Sequence, residues 1–75
     1  MKTILLAEFD RSFDLQKLKE IKRIPHVQSA EVVTGRIDLV IVIMARTDDQ
    51  ISATVQKIRK IKGIRSISSH VVLKI

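Results

Sequence analysis

The chain opens on an alternating stretch. From Lys2 to Phe9, Ile4 and Leu6 fall on one side of an extended backbone and Leu5, Ala7 and Phe9 on the other, which predicts a strand. Asp10-Arg11-Ser12 reads as a turn, with Ser12 as a helix N-cap. From Phe13 to Arg23 the period becomes helical. Leu15, Leu18 and Ile21 recur at three-residue spacing, and Lys17, Lys19, Glu20 and Lys22 point outward. Pro25 stops this helix, because the residue before a proline resists the helical region. Val27 to Thr34 predicts a second strand, and Gly35-Arg36 a hairpin turn, since glycine supplies positive φ at little cost. Ile37 to Ala45 predicts the third strand. Thr47 or Asp48 caps a second helix whose apolar positions Ile51, Val55, Ile58 and Ile61 fit spacings of three and four, with Gly63 expected as its C-cap. Ile64 to Ile75 predicts the fourth strand.

The two halves resemble each other at an offset of 37 residues: Leu18 matches Val55, Ile21 matches Ile58, Ile24 matches Ile61, Val27 matches Ile64, and Ile4 matches Ile41. Two βαβ units make a ferredoxin-like α+β sandwich, βαββαβ, with a four-stranded antiparallel sheet. Both helices then cover one face of the sheet, and the other face should alternate to polar. The third strand does not alternate. Ile37, Leu39, Ile41 and Ile43 fill one side, and Val40, Val42 and Met44 follow Asp38 on the other. The first strand is also apolar on both sides, so these two are expected at the centre of the sheet. No residues remain to cover the second face, so the pattern predicts a homodimer formed through it.

Length changes this picture little: 75 residues make a single domain, 1–75. Such a domain buries only about 60% of its unfolded surface and needs a staple. There is no cysteine, and His26 and His70 have no partner at metal-ligand spacing, so neither a disulfide nor a metal or other cofactor is expected. Self-association is the remaining staple. No Ser, His and carboxylate set and no phosphate-binding glycine loop is apparent, so an enzyme is not expected. The longest apolar run, Leu39 to Ala45, falls far short of the roughly 20 residues of a membrane span, and no targeting segment is evident; a cytoplasmic protein with no membrane partner is the default.

The net charge of +6 raises the alternative of a small basic nucleic-acid-binding module. The placement of charge weighs against it. Asp10, Asp14, Asp48 and Asp49 sit where helices start, and Lys19, Lys22, Arg23, Arg59, Lys60 and Lys62 where they end, as helix dipoles favour. Phe9 and Phe13 are the only aromatics, so no stacking platform is evident. Direct DNA binding is not expected.

The most informative segment is Val32-Val33-Thr34-Gly35-Arg36-Ile37-Asp38-Leu39-Val40. Asp38 is the only charge in a strand expected to be buried, and a buried charge needs a partner. Two partners fit: backbone N–H groups of its own turn, or the ammonium of a small ligand. The run from Val27 to Leu39, together with Ile61-Lys62-Gly63-Ile64 and Val71-Val72-Leu73-Lys74, resembles the effector-binding domain of the Lrp/AsnC family, also called the RAM domain. The chain begins at the first strand of that domain, so it resembles the stand-alone form without a DNA-binding helix-turn-helix. It has Ile37 where the family favours an aromatic, and Ile67 and Ser69 where it favours threonines. The resemblance implies sheet-paired dimers assembled into rings such as octamers. It implies a small amino-acid effector held near the second turn by Thr34, Gly35, Arg36 and Asp38, with Ser69 added. It further implies a regulatory role in transcription or amino-acid metabolism, in company with full-length regulators of the family.

Overall fold

The structure is a computed structural model that describes residues 1–75. Its elements run β1 (Lys2–Phe9), α1 (Leu15–Arg23), β2 (Val27–Val32), β3 (Leu39–Met44), α2 (Asp48–Arg59) and β4 (Ile64–Val71). The four strands form one antiparallel sheet in the order β2-β3-β1-β4, the ferredoxin-like arrangement expected. The two strands apolar on both sides, β1 and β3, are the central pair, in register Leu5 to Ile41 and Ala7 to Leu39.

Alternation decides which side of each strand is dry. Thr3, Leu5 and Ala7 of β1 and Leu39, Ile41 and Ile43 of β3 are fully buried against the helices. Ile21 of α1 and Ile51, Val55 and Ile58 of α2 complete the core, with Phe9, Phe13, Leu18, Ile61 and Ile67 packed around it. The Thr3 hydroxyl lies within this core and has no hydrogen-bond partner. Thr54, also buried, does better: its hydroxyl donates to the Gln50 carbonyl at 2.8 Å, one turn back on α2.

The helix starts differ in one respect from expectation. Thr47 caps α2, its hydroxyl accepting the Gln50 N–H at 3.1 Å. Ser12 does not cap α1; Asp14 does, through the Lys17 N–H at 3.1 Å. Ser12 is taken up two residues earlier. Asp10 Oδ1 accepts both its hydroxyl and its N–H, an Asx-type turn that ends β1 and delays the helix from Phe13 to Leu15. These bonds hold both carboxyls below the ordinary value of 3.8. For Asp10 the cause is foremost the Ser12 hydroxyl and then its N–H; for Asp14 it is the Lys17 N–H.

Both helices end in the same way, and here Gly63 needs correction. The α2 C-cap is Lys60, so Ile61 and Gly63 lie beyond the helix. Ile61 to Ile64 forms a turn closed by the Ile64 N–H on the Ile61 carbonyl, with Gly63 at φ +97°. Ile24 to Val27 forms the matching turn at 3.1 Å, with Pro25 second and His26 third at φ +75°. These are the proline-and-positive-φ positions of a type II turn. The 37-residue offset therefore extends to the turns, with His26 standing where the second half has glycine. Gly63 has a further reason to be glycine. A Cβ there would lie 2.6 Å from the Phe13 backbone nitrogen, where the α2–β4 turn crosses the start of α1.

The strands flanking the second turn are shorter than the apolar pattern suggested. β2 stops at Val32 and β3 begins at Leu39, leaving Val33 to Asp38 as a loop. β4 pairs only as far as Val71; Val72 donates one further bond to the Lys2 carbonyl at 2.9 Å. Leu15, read as a core position, is 63% exposed at the first turn of α1.

Candidate functional site

The loop between β2 and β3 carries four of the five residues singled out in the sequence. The Val33 N–H donates to the Asp38 carbonyl at 2.9 Å, and Thr34, Gly35 and Arg36 project from that closure, all exposed. Gly35 has φ +110°, a conformation side chains rarely adopt, and nothing lies within 4 Å of the position a Cβ would take. Glycine is needed here for the backbone turn, not for crowding.

Asp38 is half-buried where β3 begins. Its backbone N–H donates to the Ala7 carbonyl at 3.0 Å, extending the β1–β3 ladder. Its carboxylate does not brace its own turn. Oδ2 accepts the Phe9 backbone N–H of β1 at 3.0 Å, at the bulge between Glu8 and Phe9 where the β1–β4 register shifts. The side chain thus replaces the acceptor that β3 no longer supplies. Oδ1 takes no bond within the chain and is not among the fully buried unpartnered atoms, so one carboxylate oxygen keeps some contact with solvent.

Ser69 is not brought to this cluster within one chain. It lies on the edge strand β4 opposite Leu5, on the helix side of the sheet. Asp38 is two strands away and about three residues along, a separation of roughly 14 Å from standard strand spacing.

A feature that the sequence reading missed lies behind the loop. Phe9, Phe13, Leu15, Leu18 and Val32 line an apolar groove of about 250 Å³, with Asp14 at its rim. The rings of Phe9 and Phe13 stack with centroids 4.4 Å apart. The signal was available: the only two aromatics of the chain stand four residues apart across a turn.

The second candidate surface is the face of the sheet opposite the helices. Register places Ile4 beside Val42 and Leu6 beside Val40, with Met44 beside Lys2. This apolar centre is flanked by Ser66, Ser68 and His70 on β4 and by Ser29 and Glu31 on β2. The polar flank on β4 is internally bonded. Ser66 Oγ donates to Glu8 Oε1 at 2.9 Å, and Ser68 Oγ lies 2.8 Å from His70 Nε2. An apolar centre with a polar rim is the composition of protein–protein interfaces.

Cations are mostly unpaired. The ion pairs are Lys17–Asp14 and Arg65–Asp10, both at 3.6 Å, which leaves most of the 14 Lys and Arg solvated. No group of three or more metal-ligating side chains is present, and no helix is long and apolar enough to cross a membrane.

The βαββαβ sandwich, with a glycine turn and an aspartate at the mouth of a central strand, is a ferredoxin-like α+β domain. The profile of the Lrp/AsnC ligand binding domain matches residues 14–75, and the chain belongs to that family. A hypothetical protein from Pyrococcus horikoshii has the same fold at 23% identity, with a TM-score of 0.83 over 97% of this chain and 90% of its own. AsnC from Escherichia coli is similar at 23% identity and a TM-score of 0.83, over 97% of this chain but 50% of its own length. A transcriptional regulator from Neisseria meningitidis, solved as an L-Met complex, is similar at 18% identity and a TM-score of 0.81, over 97% of this chain and 49% of its own. This chain therefore corresponds to about half of the two regulators. No curated protein matches the sequence.

Proposed function

We propose that this domain is an oligomeric amino-acid sensor of the cytoplasm. It pairs through its open sheet face and holds a free amino acid at the β2–β3 loop, modulating transcription or amino-acid metabolism in company with regulators that carry a DNA-binding domain. One observation carries the ligand half of this reading. In a family of ligand-binding domains, Asp38, three residues after the open turn at Gly35, keeps one carboxylate oxygen unbonded within the chain. The carboxylate suits an ammonium, and the turn amides around Thr34, Gly35 and Arg36 suit a carboxylate. That the Neisseria meningitidis regulator was solved with L-Met supports an amino acid as the ligand class. Ser69, remote within one chain, joins the site only from a neighbouring copy, in keeping with binding between protomers of a ring such as an octamer.

The assembly half rests on the apolar centre of the sheet face. Native mass spectrometry with and without a panel of amino acids, followed by calorimetric titration of the hits, tests both halves. The expected result is a dimer or larger ring whose mass distribution changes with a subset of amino acids. A monomer that binds none of them contradicts the reading.

The nucleic-acid alternative makes a different demand. Solvated cations at helix ends give salt-sensitive contacts with phosphates, so binding to duplex DNA should be weak and lost by physiological salt. Sequence-selective binding that survives that salt would favour the alternative.

A further inference from the structure

The net charge of this chain is not spread along it. Residues 50–75 hold six Lys and Arg and no Asp or Glu, so that stretch carries the whole +6. Five of the six lie where α2 runs out and β4 begins: Lys57, Arg59, Lys60, Lys62 and Arg65, all exposed. Arg65 is paired with Asp10 at 3.6 Å, and the other four take part in no ion pair. The helix dipole puts only about half a negative charge at this end, so it accounts for one cation at most. Arg59 and Arg65 line a cleft of about 140 Å³ together with Ile64, Ser66 and Ile67. The carboxylates nearby are already engaged, Asp10 by Ser12 and Arg65, Glu8 by Ser66.

The same corner opens onto an unpaired sheet edge. β4 is an outermost strand, with β1 as its one neighbour. The Lys2 carbonyl accepts the Val72 N–H at 2.9 Å, and the Ala7 carbonyl accepts the Asp38 N–H on the opposite side at 3.0 Å. Backbone groups alternate in direction along a strand, so the even positions of β1 bond to β4 and the odd ones to β3. Ile4 with His70 and Leu6 with Ser68 are then the bonded pairs of the β1–β4 ladder. Ile67, Ser69 and Val71 turn their N–H and C=O groups the other way, where no strand lies. Ser69 and Val71 are exposed, so this row is open to solvent. Such a row is a template for another extended chain. Arg65, skipped by the ladder at the bulge, sits at its head beside the cleft.

We propose that the β4 edge and the basic corner at its start dock an extended, acidic polypeptide segment of another protein. The segment adds to the sheet as a further strand, and its carboxylates meet Arg59, Lys60 and Lys62. In this mode main-chain bonds supply the affinity and side-chain charge the choice of partner. Two features favour a polypeptide over a nucleic acid. The β4 edge offers donors and acceptors in alternation, which a second peptide backbone matches, whereas a phosphodiester offers acceptors alone and leaves the carbonyls unmet. Neither Phe9 nor Phe13 lines the cleft, so it has no platform on which a base could stack. The one-sided charge also repels a basic strand, so the edge discriminates by sign. This inference uses neither Asp38 nor the β2–β3 loop and stands apart from the amino-acid site.

A short, labelled peptide of alternating Glu and Val, capped at both ends, serves as the probe. Anisotropy titrations at low salt compare it with the same peptide carrying Lys for Glu, with its fully N-methylated form and with a short DNA duplex. The acidic peptide should bind, with amide NMR shifts and slowed hydrogen exchange centred on Ile67, Ser69 and Val71. The Lys peptide should not bind. N-methylation removes the donors and keeps the charge, and should weaken binding about tenfold or more. Arg59→Glu/Lys60→Glu should also weaken it about tenfold or more, and Arg59→Gln/Lys60→Gln by less. Both positions are exposed, and circular dichroism checks that the fold is intact. No binding of the acidic peptide, or equal binding of its N-methylated form, overturns strand addition. Tighter binding of the duplex that survives physiological salt makes nucleic acid the partner instead. Shifts confined to β2, the other edge strand, place the docking elsewhere.

Discussion

The Asp38 carboxylate secures a strand to which it does not belong: Oδ2 accepts the Phe9 backbone N–H at 3.0 Å, so the end of β1 is tied to the start of β3 through a side chain. Phe9 also lines the apolar groove, and the Asp38 carbonyl closes the β2–β3 loop by accepting the Val33 N–H. One residue thus couples the loop to the sheet.

Replacements at Asp38 should separate bracing from binding. In Asp38→Asn an amide oxygen still accepts the Phe9 N–H, so the fold and melting temperature should change little. Loss of the charge should weaken amino-acid binding about ten- to a hundredfold, the equivalent of one charge-assisted hydrogen bond. Asp38→Ala strands the Phe9 N–H and should in addition cost about 1–2 kcal/mol of stability. Calorimetric titration alongside denaturant melts distinguishes the two, and unchanged affinity in a folded Asp38→Asn protein would remove the carboxylate from the site.

Val42 lies on the open face, half-buried among Ile4, Val40 and Met44 and outside the core. Val42→Lys should therefore dissociate the dimer while the monomer stays folded, since the new ammonium is solvated in the free chain and buried unpaired in the assembly. Size-exclusion chromatography with circular dichroism reads this directly; a dimer of unchanged affinity would place the interface elsewhere.

The two glycines should respond differently to alanine. Both have positive φ, so both substitutions carry backbone strain of about 1–3 kcal/mol. Gly35→Ala adds nothing to that, because its surroundings are open. Gly63→Ala also drives a methyl to 2.6 Å from the Phe13 nitrogen and should be worse by a further 1–3 kcal/mol or so. Urea denaturation of the two variants gives the comparison.

Acid should loosen the β1–α1 connection. Asp10 and Asp14 both have folded-state values depressed below 3.8, so the stability they contribute is present above that value and is lost as pH falls through the lowered values. Asp14→Asn keeps an N-cap without a titrating group. The melting temperature of this variant should fall less steeply than that of wild type between pH 5 and 2, and parallel curves would assign the acid response to other carboxylates.

Periodicity carried the architecture because each strand and helix here obeys its own period where it meets the core: Leu39, Ile41 and Ile43 share one buried face, and a one-residue slip would turn all three outward. The misreadings all fall at ends, where competing short-range bonds decide. Ser12 is a good cap in isolation, but Asp10 reaches it first. Gly63 looks like a helix terminator, yet it is required by Phe13, fifty residues earlier in the chain. The same limit applied to the candidate site. The glycine turn was legible locally, whereas the partner of Asp38 was a backbone N–H on another strand, which no local pattern announces.

The hydroxyl of Thr3 points to a different kind of conclusion. It sits at 0% exposure on the core side of β1 and bonds to nothing. Valine has nearly the same shape without the stranded dipole, so Thr3→Val should raise stability by about 1 kcal/mol or more. The chain has kept a flaw that one substitution would mend. Its working stability therefore lies below what this backbone can reach, a margin that selection for function alone does not close.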